Sequence, residues 1–373
     1  MYYLRIKRIQ NGRWILTETI MMEKKNNKVL FIDYMLLRGH VNFNRIHINA
    51  LLNEGYDVKL VLHEDIVEQL DYPSAQYALV IPRRFGIDIN NKLLNRLLLL
   101  FTLLYIKLRI NFKLYDNIIV SSMDELTLGI FPLCRKMLII CHGNAQGLKN
   151  SLKRFFIFRL AKHNFFAVFN DSMAGPFKEY GIKRLYIISH GCIVPFQYKQ
   201  DIPSVVPSAS FKRIIFHPSP NINLQFVKKV LNSDRLQRLL QEENCLLVLR
   251  NKYGSAMAQG NIQCINQYLS MNEYQNLFLT ADIILVVYPQ DFCYRVSGVS
   301  FECIANQKKL LALYNPSLLY CNQYFSYSPI FNDIDELCEK IEYLFTNPYA
   351  RCIVSDENLI PCYTPILSQI KAY

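Results

Sequence analysis

At 373 residues, half of them apolar, the chain is long enough to bury a core in each of two domains, which excludes disorder as its default state. Forty-two Lys and Arg against thirty Asp and Glu give a net charge of +12 without a polybasic tail, a balance that suits an anionic small molecule or an anionic membrane face. Zinc-finger spacing and RNA-binding aromatic runs are absent, so nucleic acid is set aside as a partner.

The eleven cysteines are odd in number and form no CxxC pair. Cys134, Cys141, Cys245 and Cys303 sit inside apolar runs, as reduced thiols in a cytoplasmic protein do. Residues 1–27 read as an N-terminal extension: 1–20 lack the apolar core and cleavage site of a signal peptide and are expected to add nothing to the fold.

Residues 29–33 form an apolar strand, 34–41 a loop carrying Arg38-Gly39-His40, and a helix follows through Glu54. Gly55 ends that helix, and the strand 57–62 completes a βαβ unit. The pattern recurs with strands at 118–120, 137–141, 166–169 and 186–188, which predicts a doubly wound domain over 28–195. Within it, the apolar run 97–106 is too short to cross a bilayer, for which about 20 residues are needed. With Leu93, Leu94 and the flanking Arg96, Lys107 and Arg109 it makes an amphipathic helix, and 148–162 makes a second, basic and aromatic one. Such helices either lie on a membrane or pack into a core with their cations in solvent.

Prolines at 195, 203 and 207 mark a linker over 196–210. Strands at 213–216, 245–249, 283–287 and 309–313, with helices at 223–231, around 273–278, from Val299 and at 334–345, predict a second Rossmann-like domain over 211–350. The tail 351–373 is expected to pack back on the first domain. The fold class is therefore α/β, with two Rossmann-like domains facing a cleft at the C-terminal ends of their sheets.

The segment from Tyr294 to Glu302 carries the most chemistry. A strand, a short loop with Arg295 and Ser297-Gly298, and then a helix aim free backbone N–H groups and a positive dipole end at one spot, where a phosphate is stable.

With these loops in place the chain resembles the GT-B glycosyltransferases that use nucleotide-activated sugars. The resemblance covers most of 28–345 through individually degenerate motifs: Glu273-Tyr274, Ala281-Asp282-Ile283, the Arg295/Ser297-Gly298/Glu302 loop, and Lys308-Lys309 before a strand. It implies that Ser297, Gly298 and Val299 offer N–H groups to a donor diphosphate and that Glu302 accepts from ribose hydroxyls. Arg250, Lys252 and Arg295 would neutralise the leaving diphosphate, and His217 would stand at the entrance of the donor site. In the first domain the resemblance places Arg38 and Gly39 in an acceptor and phosphate loop, with His142 and His40 as rival catalytic bases.

Two positions depart from the family pattern. Tyr294 stands where a retaining subgroup has the first of two glutamates, and Gln307 and Lys309 replace the Gly and Pro of a Gly-Lys-Pro turn. The implied partners are a nucleoside-diphosphate sugar as co-substrate and a saccharide or lipid-linked acceptor, with peripheral membrane contact, no cofactor and no metal. An assembly role in bacterial surface polysaccharide at the inner membrane face follows from the same resemblance. A non-catalytic GT-B-like partner, a polyol-phosphate transferase and a nucleotide-sugar epimerase stay open as alternatives. GxSxG and GxxxxGK[ST] are absent, which sets aside serine hydrolase and P-loop chemistry.

Overall fold

A computed structural model describes residues 3–8, 14–20, 27–35, 40–86, 91–192, 195–202, 204–207, 210–251, 256–267, 269–354 and 359–373; Arg38, Gly39 and Lys252 lie outside the described residues. Strands β1 (Tyr3–Arg8) and β2 (Trp14–Ile20) form an antiparallel hairpin that pairs with neither larger sheet.

The first domain comprises β3 (Lys28–Ile32), α1 (His40–Asn53), β4 (Asp57–His63), α2 (Glu64–Leu70), β5 (Tyr77–Ile81), α3 (Lys92–Arg109), β6 (Asn117–Val120), α4 (Glu125–Ile130), β7 (Met137–Ile140), α5 (Ser151–Ala161), β8 (Phe165–Val168), α6 (Asp171–Glu179) and β9 (Leu185–Ile187). Its seven strands pair in parallel in the order β5-β4-β3-β6-β7-β8-β9. The second domain comprises β10 (Arg213–His217), α7 (Leu224–Leu231), α8 (Asp234–Glu242), β11 (Cys245–Arg250), β12 (Met257–Gln259), β13 (Ile262–Ile265), α9 (Met271–Thr280), β14 (Ile283–Val286), α10 (Gly298–Ala305), β15 (Lys309–Leu313), β16 (Ile330–Phe331) and α11 (Ile334–Thr346). These seven strands run β12-β13-β11-β10-β14-β15-β16, with only β12 antiparallel to its neighbour.

Strands such as β6, β7 and β8 are buried along their whole length because helices cover both faces, which is why they appear as unbroken apolar runs. In the first sheet, successive strands step away from β3 on one side and from β6 on the other; in the second the same reversal falls between β10 and β14. Each reversal leaves a crevice beyond the strand ends, where open α/β sheets take ligands.

A last helix, α12 (Thr364–Ala372), lies against the core of the first domain through Ile366, Leu367 and Ile370. Glu54, just after α1, holds its start: the carboxylate accepts from the backbone N–H of Tyr363 at 2.7 Å and of Thr364 at 2.6 Å, and from the Thr364 hydroxyl. A carboxylate at a helix N-terminus satisfies orphan donors and opposes the dipole. Glu54→Ala is expected to cost about 1–3 kcal/mol. Urea unfolding measures it, and a loss below about 0.5 kcal/mol would rule out the anchoring role.

Residues of the expected linker dock on the second domain. Asn276 accepts from the Lys199 N–H at 2.8 Å and donates to its carbonyl at 2.7 Å, and Phe196 donates its N–H to Asn306 at 2.7 Å. The departure at Gln307 has a backbone reason: the residue sits just past α10 with φ 53°, the left-handed conformation that glycine adopts without strain.

Candidate functional site

Two pockets open at the two strand-order reversals. One, of about 410 Å³, is lined in the first domain by Met35, Ser122, Asp124, Glu125, His142 and Gln146 among others; the second, of about 530 Å³, lies between the 221–225 and 289–292 segments of the second domain. Arg295 lines both. It reaches across because the loop after β14 projects toward the first domain, where Gln146 donates to the Asp291 carbonyl and its amide oxygen lies 3.4 Å from the Arg295 guanidinium. Gly143 leaves room for this approach, since a Cβ there would sit 3.2 Å from the Arg295 Nε. Arg295 has no carboxylate within ion-pair distance among the described residues, so its charge is available to an anion.

The loop is held under tension. Tyr294 has φ 57°, costly for a side chain of its size, and Lys149 of the first domain sits 5.4 Å from its ring centroid. Ser317 accepts the Arg295 N–H at 3.2 Å and in turn donates to the Phe292 carbonyl at 2.7 Å.

At the start of α10 the expectations divide. Gly298 is exposed with open space around it, and among the described residues its N–H and that of Val299 have no acceptor. Ser297 is corrected: it is buried, its N–H is given to the Tyr320 hydroxyl at 3.1 Å, and its own hydroxyl pairs with that of Tyr288 at 2.8 Å. With Ser297 turned inward, no side chain caps α10, and the helix end stays open to a ligand. One turn on, Glu302 accepts from the Tyr274 hydroxyl at 2.5 Å, and burial, partly offset by that bond, pushes its carboxyl up to about 7.

His217 is also corrected. It is wholly buried at the end of β10, with Nδ1 donating to the Leu285 carbonyl at 2.9 Å, so it ties β10 to β14 and forms no wall of the cleft. Arg250, ending β11, donates at 3.2 Å to the Pro218 carbonyl and so braces the loop that leads to the second pocket.

His40 and His142 share one aromatic cluster with Phe43. His142 lines its pocket, and its Nε2 lies 2.8 Å from the Ser121 carbonyl, so Nε2 carries the proton and Nδ1 is left as an acceptor. Burial, with the neighbouring His40, keeps it well below the usual imidazole range. The His40 ring centroid is 4.5 Å away, and its Nδ1 is 3.5 Å from Asp33 Oδ2, within ion-pair reach though off-line for a full hydrogen bond.

Asp33 belongs to none of the motifs that carry the resemblance. It is buried at the C-terminal end of β3, accepting from Asn44 at 2.8 Å and Ser122 at 3.0 Å. Burial alone would raise its carboxyl, but His40 and these donors hold it below the usual value, as an anion. A signal was present in the sequence: an acid closing an apolar strand, with His40 and Asn44 four apart on one helix face beyond it.

No protein-family model matches the chain, and no curated protein matches it by sequence. Solved structures do match. The UDP-forming α,α-trehalose-phosphate synthase of Burkholderia xenovorans aligns over 93% of this chain and 97% of its own, with TM-score 0.56 and 9% identity. A putative UDP-N-acetylglucosamine 2-epimerase of Listeria monocytogenes aligns over 87% and 89%, with TM-score 0.54 and 9% identity. The α,α-trehalose-phosphate synthase (UDP-forming) of Burkholderia vietnamiensis aligns over 87% and 92%, with TM-score 0.54 and 8% identity. The chain has the GT-B fold. In the GT-B arrangement the two domains each present strand ends to a common cleft, and Arg295 stands where the two meet.

Proposed function

We propose that this GT-B protein transfers a sugar from a nucleoside-diphosphate donor to a hydroxyl acceptor. The observation that carries the reading is Arg295: a guanidinium with no carboxylate partner among the described residues, lining a pocket of each domain, three residues before a helix whose first amides are open. In this reading the diphosphate lies between Arg295 and the N–H groups of Gly298 and Val299, with Arg250 nearby and Glu302 accepting from ribose hydroxyls. His40 takes the proton of the acceptor hydroxyl, whose oxygen attacks the anomeric carbon as the bond to the diphosphate breaks. Asp33 orients the ring and stabilises the imidazolium that forms. Charge building on the leaving diphosphate is met by Arg295 and the α10 dipole, so the transfer runs without a metal ion.

The neighbours' names make UDP the first nucleotide to test. An acceptor in bacterial surface polysaccharide or lipid-linked glycan assembly, met at the cytoplasmic membrane face, fits the basic charge of the chain. Because the structural neighbours include UDP-N-acetylglucosamine 2-epimerases, epimerisation is the second reading. Product analysis separates them, since an epimerase yields an altered sugar nucleotide without any acceptor.

Glu302→Ala is expected to weaken nucleoside-diphosphate binding by about tenfold, the loss of two charge-assisted bonds to ribose partly offset by relief of a buried carboxylate. Isothermal titration measures it, and an unchanged Kd would remove Glu302 from the donor site.

A further inference from the structure

We infer that α3 and α5 seat the protein on an anionic bilayer, and that this surface delivers a membrane-embedded acceptor to the first-domain pocket. Helix α3 has two apolar faces. Leu99, Thr102, Leu103 and Ile106 are buried, while Leu93, Leu97, Phe101, Leu104 and Leu108 lie outside, with Leu108 75% and Phe101 60% exposed. Their spacing of i, i+4, i+8, i+11 and i+15 places them in one stripe, about 22 Å long, opposite the buried face. A helix needs only its inward stripe to fold, so the outward one has no role in the isolated domain.

Neighbouring helices also carry exposed apolar side chains. Helices α3, α4 and α5 pack side by side, with α4 and α5 drawn close at Gly129, where a Cβ would fall 2.5 Å from that of Phe156. Ile130 on α4 and Leu152 and Phe155 on α5 are exposed, Phe155 by 61%.

Charge identifies the occupant. Neither α3 nor α5 contains an Asp or Glu, whereas Lys92, Lys107, Arg109 and Arg159 are spread along them. The nearest acids are neutralised: Asp124 lies 3.4 Å from Arg96, and Glu125 lies 3.2 Å from Lys153. Apolar side chains flanked by long cationic ones match acyl chains beneath anionic headgroups. Among the described residues no helix is long and apolar enough to cross a membrane, so contact would be with one face.

The position of the pocket gives the surface its use. Asp124, Glu125, Asn150 and Lys153, at the starts of α4 and α5, line the first-domain pocket, so the bilayer-facing helices form its edge. An acceptor with its headgroup at the interface would enter from that side. This second step rests on reading the pocket as the acceptor site; the surface itself does not.

Sedimentation of the full chain with phosphatidylglycerol vesicles and with phosphatidylcholine vesicles tests the proposal. Binding to the anionic vesicles, weakened by added salt, is expected, and Leu97→Gln/Phe101→Gln/Leu104→Gln should reduce it by about tenfold or more. The thermal midpoint and UDP binding of that variant should match the parent. Lys92→Glu/Arg159→Glu, both at exposed positions, should lose the preference for anionic lipid while keeping the fold. Equal binding to both vesicles, no binding to either, or a self-associated species that the triple variant abolishes would overturn the proposal. Vesicle binding without any nucleotide binding would keep this surface and remove the functional reading instead.

Discussion

Replacing His40 by Asn is expected to lower kcat by about 10²–10⁴-fold while leaving donor affinity within about twofold. His40 is the rival whose ring faces a carboxylate, with Nδ1 3.5 Å from Asp33 Oδ2. His142 donates its Nε2 proton to the Ser121 carbonyl, and burial, with the neighbouring His40, holds it well below the usual imidazole range, so a proton on it would be penalised. His142→Asn should therefore cost less than His40→Asn, and Asp33→Asn should fall between them. Initial rates of nucleoside-diphosphate release, with saturating donor, measure all three. A reversed order, with His142→Asn the more damaging, would transfer the base to His142.

Acid should unfold the protein at a milder pH than its carboxylates alone would dictate. Burial keeps His190 and His217 at about 4 and His47 and His142 well below the ordinary value of 6.5. Between pH 6.5 and about 4 the unfolded chain binds protons that the native state refuses, so stability falls as pH drops through that window. Each of the two histidines near 4 contributes a loss on the order of 3 kcal/mol by the lower end. Glu302 works the other way, because its folded value of about 7 lies above the unfolded 4.5 and stability rises as it protonates. One such group does not cancel four. Urea unfolding should show a drop of several kcal/mol between pH 7 and 4.5. A flat profile would mean these rings are accessible in the native state, and His190→Phe, which keeps the stack on Phe301, should reduce the slope.

Much of the fold is legible in the sequence because parallel strands covered on both faces must be apolar at every position. The strands from β6 to β8 and β14 to β15 fall within a residue or two of the apolar runs. Among the elements that escape that signal, three do so for separate reasons. β5 is an edge strand, mostly half-exposed, so its pattern is mixed. β12 is exposed along its whole length and owes its place to pairing with β13. α8 shows Leu236, Leu239 and Leu240 at helical spacing but sits among Gln, Arg and Glu.

The site is less legible than the fold. The Arg295 loop announces itself through its position between strand and helix. Its meeting with Gln146 does not, because residues 149 apart in sequence come together only when both domains are in place. Likewise, nothing local reveals that Tyr320 takes the Ser297 amide or that Tyr274 takes one Glu302 oxygen. Both depend on side chains brought in by other elements, as does the dependence of His40 on Asp33.

The most direct measurement is a crystal structure of the protein grown with UDP, or with whichever nucleoside diphosphate a thermal-shift screen selects. The two phosphate groups are expected between the Arg295 guanidinium and the N–H groups of Gly298 and Val299. A diphosphate bound elsewhere, or an α10 start that stays empty beside a bound nucleotide, would contradict it.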